Sequence, residues 1–421
     1  MSLHTPASRS RPRAAAAVAA ARCPVRSVAL LALLFGAGAL APFATATAAQ
    51  LAFVTSSTGF GILGDWPEAG GNTGLAAGDA ICVARATAAH LPDPASFVAW
   101  LSDTNDDAYC RVHGFGGKKS ANCGQASLPT GAGPWQRTDG TPFMGALDQI
   151  TTTEAVYTPM NVDEFGHEIS REAIYTGTLR DGTAGARNCG NWTTDAFGEV
   201  DIGQTTDTYP QWTEYAGYSF CRVAPRRIAC LQKGAGTGFT PLPHPRKQAF
   251  VTSTTVSGDL SSSPLAAGNT GLAAGDAICR NVAASAGLED AQSYKVYLSF
   301  VSDPATHFDN DGPWDRVDGV RFADSFQQMA AGVHAPLNIT EAGNLLNGQF
   351  AWNGFYADGR PAFQNCSDWT SGAQLSDGWA AVLTRTGPLW PPSYDGSVAC
   401  NYQGALLCLS DVDRIFRNGL D

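Results

Sequence analysis

Residues 71–82 read GNTGLAAGDAIC, and residues 268–279 read the same twelve letters again, 197 positions later. Matching apolar runs precede them, Ala52-Phe53-Val54-Thr55 and Ala249-Phe250-Val251-Thr252. Identity at a fixed offset marks a duplicated module, so the 421 residues are expected to hold one domain twice. The expected ranges are 50–232 and 248–410, joined over 233–247 by a linker rich in Gly and Pro.

Residues 1–49 stand outside the duplication. Arg9, Arg11, Arg13, Arg22 and Arg26 precede an apolar run from Val28 to about Phe43, and Ala46-Thr47-Ala48 offers a small-residue cut. That order is the pattern of a secretory signal peptide. Export is therefore expected, leaving the mature chain secreted, periplasmic or at the cell surface, with no transmembrane segment. The leader holds five of the 27 Lys and Arg, leaving 22 against 38 Asp and Glu, a net charge of −16. Such a surface repels nucleic acid, heparin-like polyanions and anionic lipid.

Export makes the cysteines informative. Six fall in copy one (Cys82, Cys110, Cys123, Cys189, Cys221, Cys230) and four in copy two (Cys279, Cys366, Cys400, Cys408). Even numbers in an exported chain point to disulfides, and without a CxxC neither a zinc ribbon nor a thioredoxin-like motif is available. Gly133-Pro134-Trp135 matches Gly312-Pro313-Trp314 at an offset of 179, so copy one carries about 18 extra residues. These include Cys110 and Cys123, which are expected to pair locally. For the rest, four cysteines allow three connectivities and six allow 15.

Hydrophobic spacing predicts a helix from about Leu75 to His90, with Ala77, Ile81, Ala84 and Ala88 on one face and Cys82 beside it. Phe97–Asp103 reads as a second helix or a strand edge. Tyr175-Thr176-Gly177 with Asp181-Gly182, and Trp352-Asn353-Gly354 with Asp358-Gly359, read as strand–turn–strand units. Trp192 and Trp369, each three residues after a cysteine, are expected in the core.

Together these landmarks resemble a known family. Ala351–Thr370 is similar to the C-terminal half of endostatin, and both copies resemble secreted bacterial, endostatin-like domains with a C-type-lectin-like fold and no assigned function. The resemblance implies an α+β fold in two tandem, disulfide-stapled domains. It also implies the pairs Cys82–Cys230, Cys189–Cys221, Cys279–Cys408 and Cys366–Cys400. The Glu-Pro-Asn, Gln-Pro-Asp and Trp-Asn-Asp triplets of calcium-dependent lectins are absent from this sequence, so that mode of sugar binding is not implied.

Candidate chemistry is sparse. The histidines are scattered, and no nucleophile elbow, phosphate loop or dinucleotide motif follows a strand. No catalytic residue, metal ligand or cofactor is expected. Asp103–Asp107 and Asp309–Gly312 read as turns, with a partial calcium loop as the alternative. The long segments Gly145–Arg171 and Asp324–Asn347 correspond to the ligand-carrying loops of lectin-like folds, and Asn161 with Glu164 recurs as Asn338 with Glu341. These four either meet a ligand or hold the loop by bonding its own backbone. Residues 411–421 read as a C-terminal tail, in which Asp413–Gly419 resembles short sorting or surface-association segments of Gram-negative exported proteins, with a frayed end docking Ile415 and Phe416 on the second domain as the alternative. The expected function is monomeric, non-catalytic recognition of an extracellular glycan or protein. A structural or envelope-associated role comes second, and a carbohydrate-active enzyme third.

Overall fold

The computed structural model describes residues 49–194, 198–239, 247–299, 306–356, 359–387 and 397–412, which all belong to one compact unit. The expected leader up to residue 48, residues 240–246 of the linker and the tail from residue 413 lie outside them. Two mixed sheets with helices make the chain α+β. Among the described residues, no helix is long and apolar enough to cross a membrane.

Copy one contributes β1 (Gln50–Val54), the helix Gly74–Ala88, β2 (Phe97–Ala99), β3 (Trp135–Arg137), β4 (Pro142–Met144), β5 (Ala173–Tyr175), β6 (Glu199–Gln204), β7 (Tyr218–Phe220) and β8 (Arg227–Gln232). The sheet runs β4-β3-β1-β8-β5-β6-β7, with β2 also on β8. Copy two repeats this with β9 (Lys247–Val251), the helix Gly271–Ser285, β10 (Tyr294–Val296), β11 (Trp314–Arg316), β12 (Arg321–Ala323), β13 (Phe350–Trp352), β14 (Asp377–Val382), β15 (Ser397–Ala399) and β16 (Ala405–Ser410). Its order is β12-β11-β9-β16-β13-β14-β15, with β10 on β16. Each copy thus places its first and last strands side by side.

Side chains alternate across a strand, and both faces of each central strand are covered. In copy one, Ala52, Val54, Ala229 and Leu231 face a layer with Trp100, Trp135 and Trp212. Phe53, Ile228 and Cys230 face the helix through Ile81 and Cys82. The repeated twelve residues build that helix contact. A Cβ on Gly78 would sit 2.9 Å from Leu101 Cδ1, and one on Gly275 2.6 Å from Val296 Cγ1, so a bare residue lets helix and sheet meet. Asp79 and Asp276 accept the Ala99 and Val296 backbone N–H groups, each at 2.9 Å. Asn72 and Asn269 donate to the Ala69 and Ala266 carbonyls, each at 2.8 Å. The buried face therefore runs through Ala77, Gly78, Ile81 and Cys82, while Ala84 is half-buried and Ala88 exposed, unlike the face expected from spacing.

The disulfides are Cys82–Cys230, Cys110–Cys123, Cys189–Cys221, Cys279–Cys408 and Cys366–Cys400. The helix of each copy is thereby fastened to its last strand, in the pairing that the resemblance implies. Phe97–Ala99 is a strand, and Trp192 and Trp369 are fully buried.

The copies touch directly. Thr208 N donates to Thr384 O at 2.8 Å, and Thr386 N to Thr206 O at 3.1 Å. Arg316 Nη1 donates to Tyr157 O at 2.8 Å, and Asn347 Nδ2 to Glu154 O at 2.7 Å. The first linker residues lie on copy one, where Gly234 N donates to Val112 O and Gly236 N to Gly133 O. At the other end Asp411 is buried and accepts from Asp309 N and Asn310 N, which makes it part of copy two rather than of a tail.

Candidate functional site

The four residues singled out in the long segments are interior struts. Val54 N, the last N–H of β1, donates to Val162 O, so the segment runs on beside the strand end. Glu164 then accepts from Ser56 N at 2.8 Å, from the Ser56 hydroxyl at 2.5 Å and from Arg85 Nε at 2.6 Å. Asn161 Oδ1 accepts from Arg137 Nη1 at 2.5 Å, and its Nδ2 donates to Glu168 at 3.2 Å. Copy two repeats the design, with Asn338 Oδ1 taking Arg316 Nη1 at 2.7 Å and Glu341 taking Ser253 N at 2.9 Å and the Ser253 hydroxyl. Their exposures of 2, 1, 0 and 8 % leave almost no surface for a ligand. Their partners are Arg137, Arg316, Ser56 and Ser253 rather than the loop's own backbone.

The acidic turns are likewise occupied. Asp103 Oδ1 accepts from Asn105 N and Asp106 N, and Asp107 from Lys118 Nζ, Lys119 N and Ala184 N. No set of three or more His, Cys, Asp or Glu placed to hold a metal occurs among the described residues.

Several depressions occur among the described residues. One is a cleft between the copies, lined by Arg137, Asp139, Glu168, Arg321 and His334 among others. Its charges largely answer one another: Arg137 holds Asp139 at 2.5 Å, Arg321 holds Asp315 at 2.6 Å and also Asp324, and His334 Nε2 lies 2.9 Å from Asp324. Burial alone would raise the Asp139 carboxyl, but Arg137 and hydrogen bonds from Arg137 and Thr141 hold it below its ordinary value.

Another depression, of about 270 Å³, opens beside the outer strands of copy one and is lined by Leu179, Arg187, Asp201, Glu214, Tyr215 and Tyr218. Antiparallel pairing sets Asp201 opposite Tyr218 and Glu199 opposite Phe220, so period-2 alternation puts all four on one face. Arg187 bridges Glu199 at 2.7 Å and Asp201 at 3.0 Å, and its guanidinium carbon lies 4.5 Å from the Tyr218 ring centre. Gly185 makes room for this, since a Cβ there would fall 2.1 Å from Asp201 Oδ2. Arg180 grips Glu214 through Nε at 2.8 Å and its backbone N at 2.8 Å. The hydrogen bond from the Arg180 side chain outweighs burial and holds the Glu214 carboxyl below its ordinary range. Tyr218 and Phe220 are 47 and 44 % exposed, their rings edge-on at 5.8 Å.

Sequence reasoning passed over this face. Its one signal was an aromatic at alternate positions before Cys221, Tyr218-Ser219-Phe220, where copy two has Ser397-Val398-Ala399 before Cys400. No protein-family model matches the chain, and no curated protein sequence matches it either.

Proposed function

We propose that the chain is an exported, non-catalytic binding protein, built from two C-type-lectin-like domains, that recognises an extracellular glycan or protein. The observation that carries this reading is the outer face of copy one. There a half-exposed tyrosine stands beside a fixed row of carboxylates and a guanidinium. Sugars present C–H faces that stack on aromatic rings and hydroxyls that pair with carboxylates, and such a face supplies both. The lectin-like reading is supported by paired first and last strands and by a helix fastened to the last strand in each copy. Five disulfides suit an oxidising destination. A glycosidase acid must keep its proton near neutral pH, whereas Arg180 favours the ionised form of Glu214, which suits a hydrogen-bond acceptor.

A polysaccharide and glycan array, probed with and without chelator, tests this. Binding should survive chelation and fall about tenfold in Tyr218→Ala, the loss expected for one stacked ring. Silence across glycans and candidate proteins would overturn the proposal in favour of a structural, envelope-associated role.

A further inference from the structure

Copy two has no Tyr218, yet its equivalent face is not bare. The bridges Asn188↔Val200 and Asn365↔Gly378, with the pairs Asp201↔Tyr218 and Trp379↔Ser397, place the two outer hairpins in register. Leu179, Arg187, Asp201 and Tyr218 of copy one thus correspond to Tyr356, Gln364, Trp379 and Ser397 of copy two. The cross-strand pair has exchanged its members: copy one has the acid on β6 and the ring on β7, while copy two has the ring on β14 and the hydroxyl on β15.

Trp379 is unusual for this chain. Trp66, Trp100, Trp135, Trp192, Trp212, Trp314, Trp352 and Trp369 are buried, and Trp379 is the one described tryptophan that is not. Its indole N–H donates to Gln364 Oε1 at 2.9 Å, and the Tyr356 hydroxyl donates to the same oxygen at 3.3 Å. The two rings stand edge to face, 5.1 Å apart at 74°. The amide oxygen therefore fixes both rings, while Gln364 Nε2 donates to no described residue. Ser397 is exposed across the strand pair, and Asp377, two positions along β14, is exposed on the same face.

We propose that Trp379, Tyr356, Gln364 and Ser397 form a second carbohydrate subsite, specific for a neutral sugar chain with equatorial hydroxyls. Resting on the binding reading only for its ligand class, the subsite is carried by its own geometry. A fixed indole held by a glutamine offers one flat stacking surface; the free amide N–H, the serine hydroxyl and the Asp377 carboxylate offer partners for equatorial hydroxyls. No arginine replaces Arg187, and Asp377 stands on this face, so an acidic sugar is repelled. Copy one presents a guanidinium at the same place. There Glu199 and Asp201 already pair with it, so neither face offers an unanswered cation to an acidic sugar.

Cellohexaose and xylohexaose are the neutral probes, and hexagalacturonate the acidic one, used with the full mature chain. Tryptophan oxidation by N-bromosuccinimide, mapped by peptide mass spectrometry, should mark Trp379 and be slowed at least threefold by a neutral probe but not by hexagalacturonate. Calorimetry should show neutral-probe affinity falling about tenfold in Trp379→Ala and unchanged in Tyr218→Ala. Loss of affinity in Tyr218→Ala with none in Trp379→Ala would overturn this subsite and leave the first face standing. Failure of both neutral probes to protect Trp379 overturns it as well, and protection by hexagalacturonate overturns its charge selectivity.

Discussion

Copy one answers its buried Glu164 with Arg85 from the helix, whereas copy two has Val282 at the helix position of Arg85 and leaves Glu341 with Ser253 alone among the described residues. A second contrast lies nearby. The helix aspartate shared by both copies meets Arg111 in copy one, and His307 at 2.9 Å with Arg280 at 3.4 Å in copy two. The backbone-facing half of each interaction is constant: Glu to a serine N–H, Asp to a strand N–H. The charged half varies. An orphaned buried N–H costs as much as a lost hydrogen bond, so duplication has preserved what satisfies the chain and let the cations drift.

The largest test of that framework is covalent. Cys82–Cys230 and Cys279–Cys408 span 148 and 129 residues, and on a loop-entropy account each stabilises by about 5 kcal/mol. Cys110–Cys123 spans only 13 and contributes about 3 kcal/mol to a feature that copy two lacks. Paired Cys→Ser variants followed by urea melts should fall in that order. A Cys110/Cys123 variant as destabilised as Cys82/Cys230 would make the insertion part of the shared core.

Next comes Arg85→Val, which gives copy one the arrangement of copy two. It removes one partner of a carboxylate with no exposed side-chain surface and should cost about 3 kcal/mol. Adding Glu164→Gln should recover most of that loss in a double-mutant cycle. If Arg85→Val costs under about 0.5 kcal/mol, Ser56 alone suffices and the copies differ only in appearance.

Much of the framework was legible because its residues stand together in one repeated string, however far away their partners lie. Gly78, Asp79 and Cys82 share one helix, though Asp79 reaches Ala99 and Cys82 reaches Cys230, 148 positions on, and repetition of the whole string exposed them together. The loop residues were not legible in the same way. Glu164 and Ser56 lie 108 positions apart, and nothing in either neighbourhood shows that they meet. The outer faces were hidden by their exchange: aligning Tyr218 with Ser397 suggests loss of a ring, and only strand register reveals Trp379 on the opposite strand. The alanines at 84 and 88 misled for another reason, since Ala fits a buried or an exposed helix position equally well.

The smallest expected effect sits where the copies meet. By the β6–β14 correspondence, Thr206-Asp207-Thr208 matches Thr384-Arg385-Thr386, and the hydrogen bonds between them are reciprocal, as in an isologous contact. On such a pseudo-twofold axis a residue faces its own counterpart, and identical charges there would repel; here the counterparts are Asp207 and Arg385, 3.6 Å apart. That distance is too long for a hydrogen bond, and both Asp207 oxygens lack a partner. Burial consequently raises the Asp207 pKa from 3.8 despite the opposing pull of Arg385 and Arg171. A folded-state pKa above the unfolded one means that the ionised carboxylate weakens the fold at neutral pH, a cost relieved as pH falls through the raised value. Asp207→Asn should accordingly be more stable than the parent near neutrality, by no more than about 1 kcal/mol. In urea melts across pH the advantage should close below 3.8, the ordinary carboxyl value. An advantage that persists in acid, or a loss at neutrality, would show instead that the charge of Asp207 holds the two copies together.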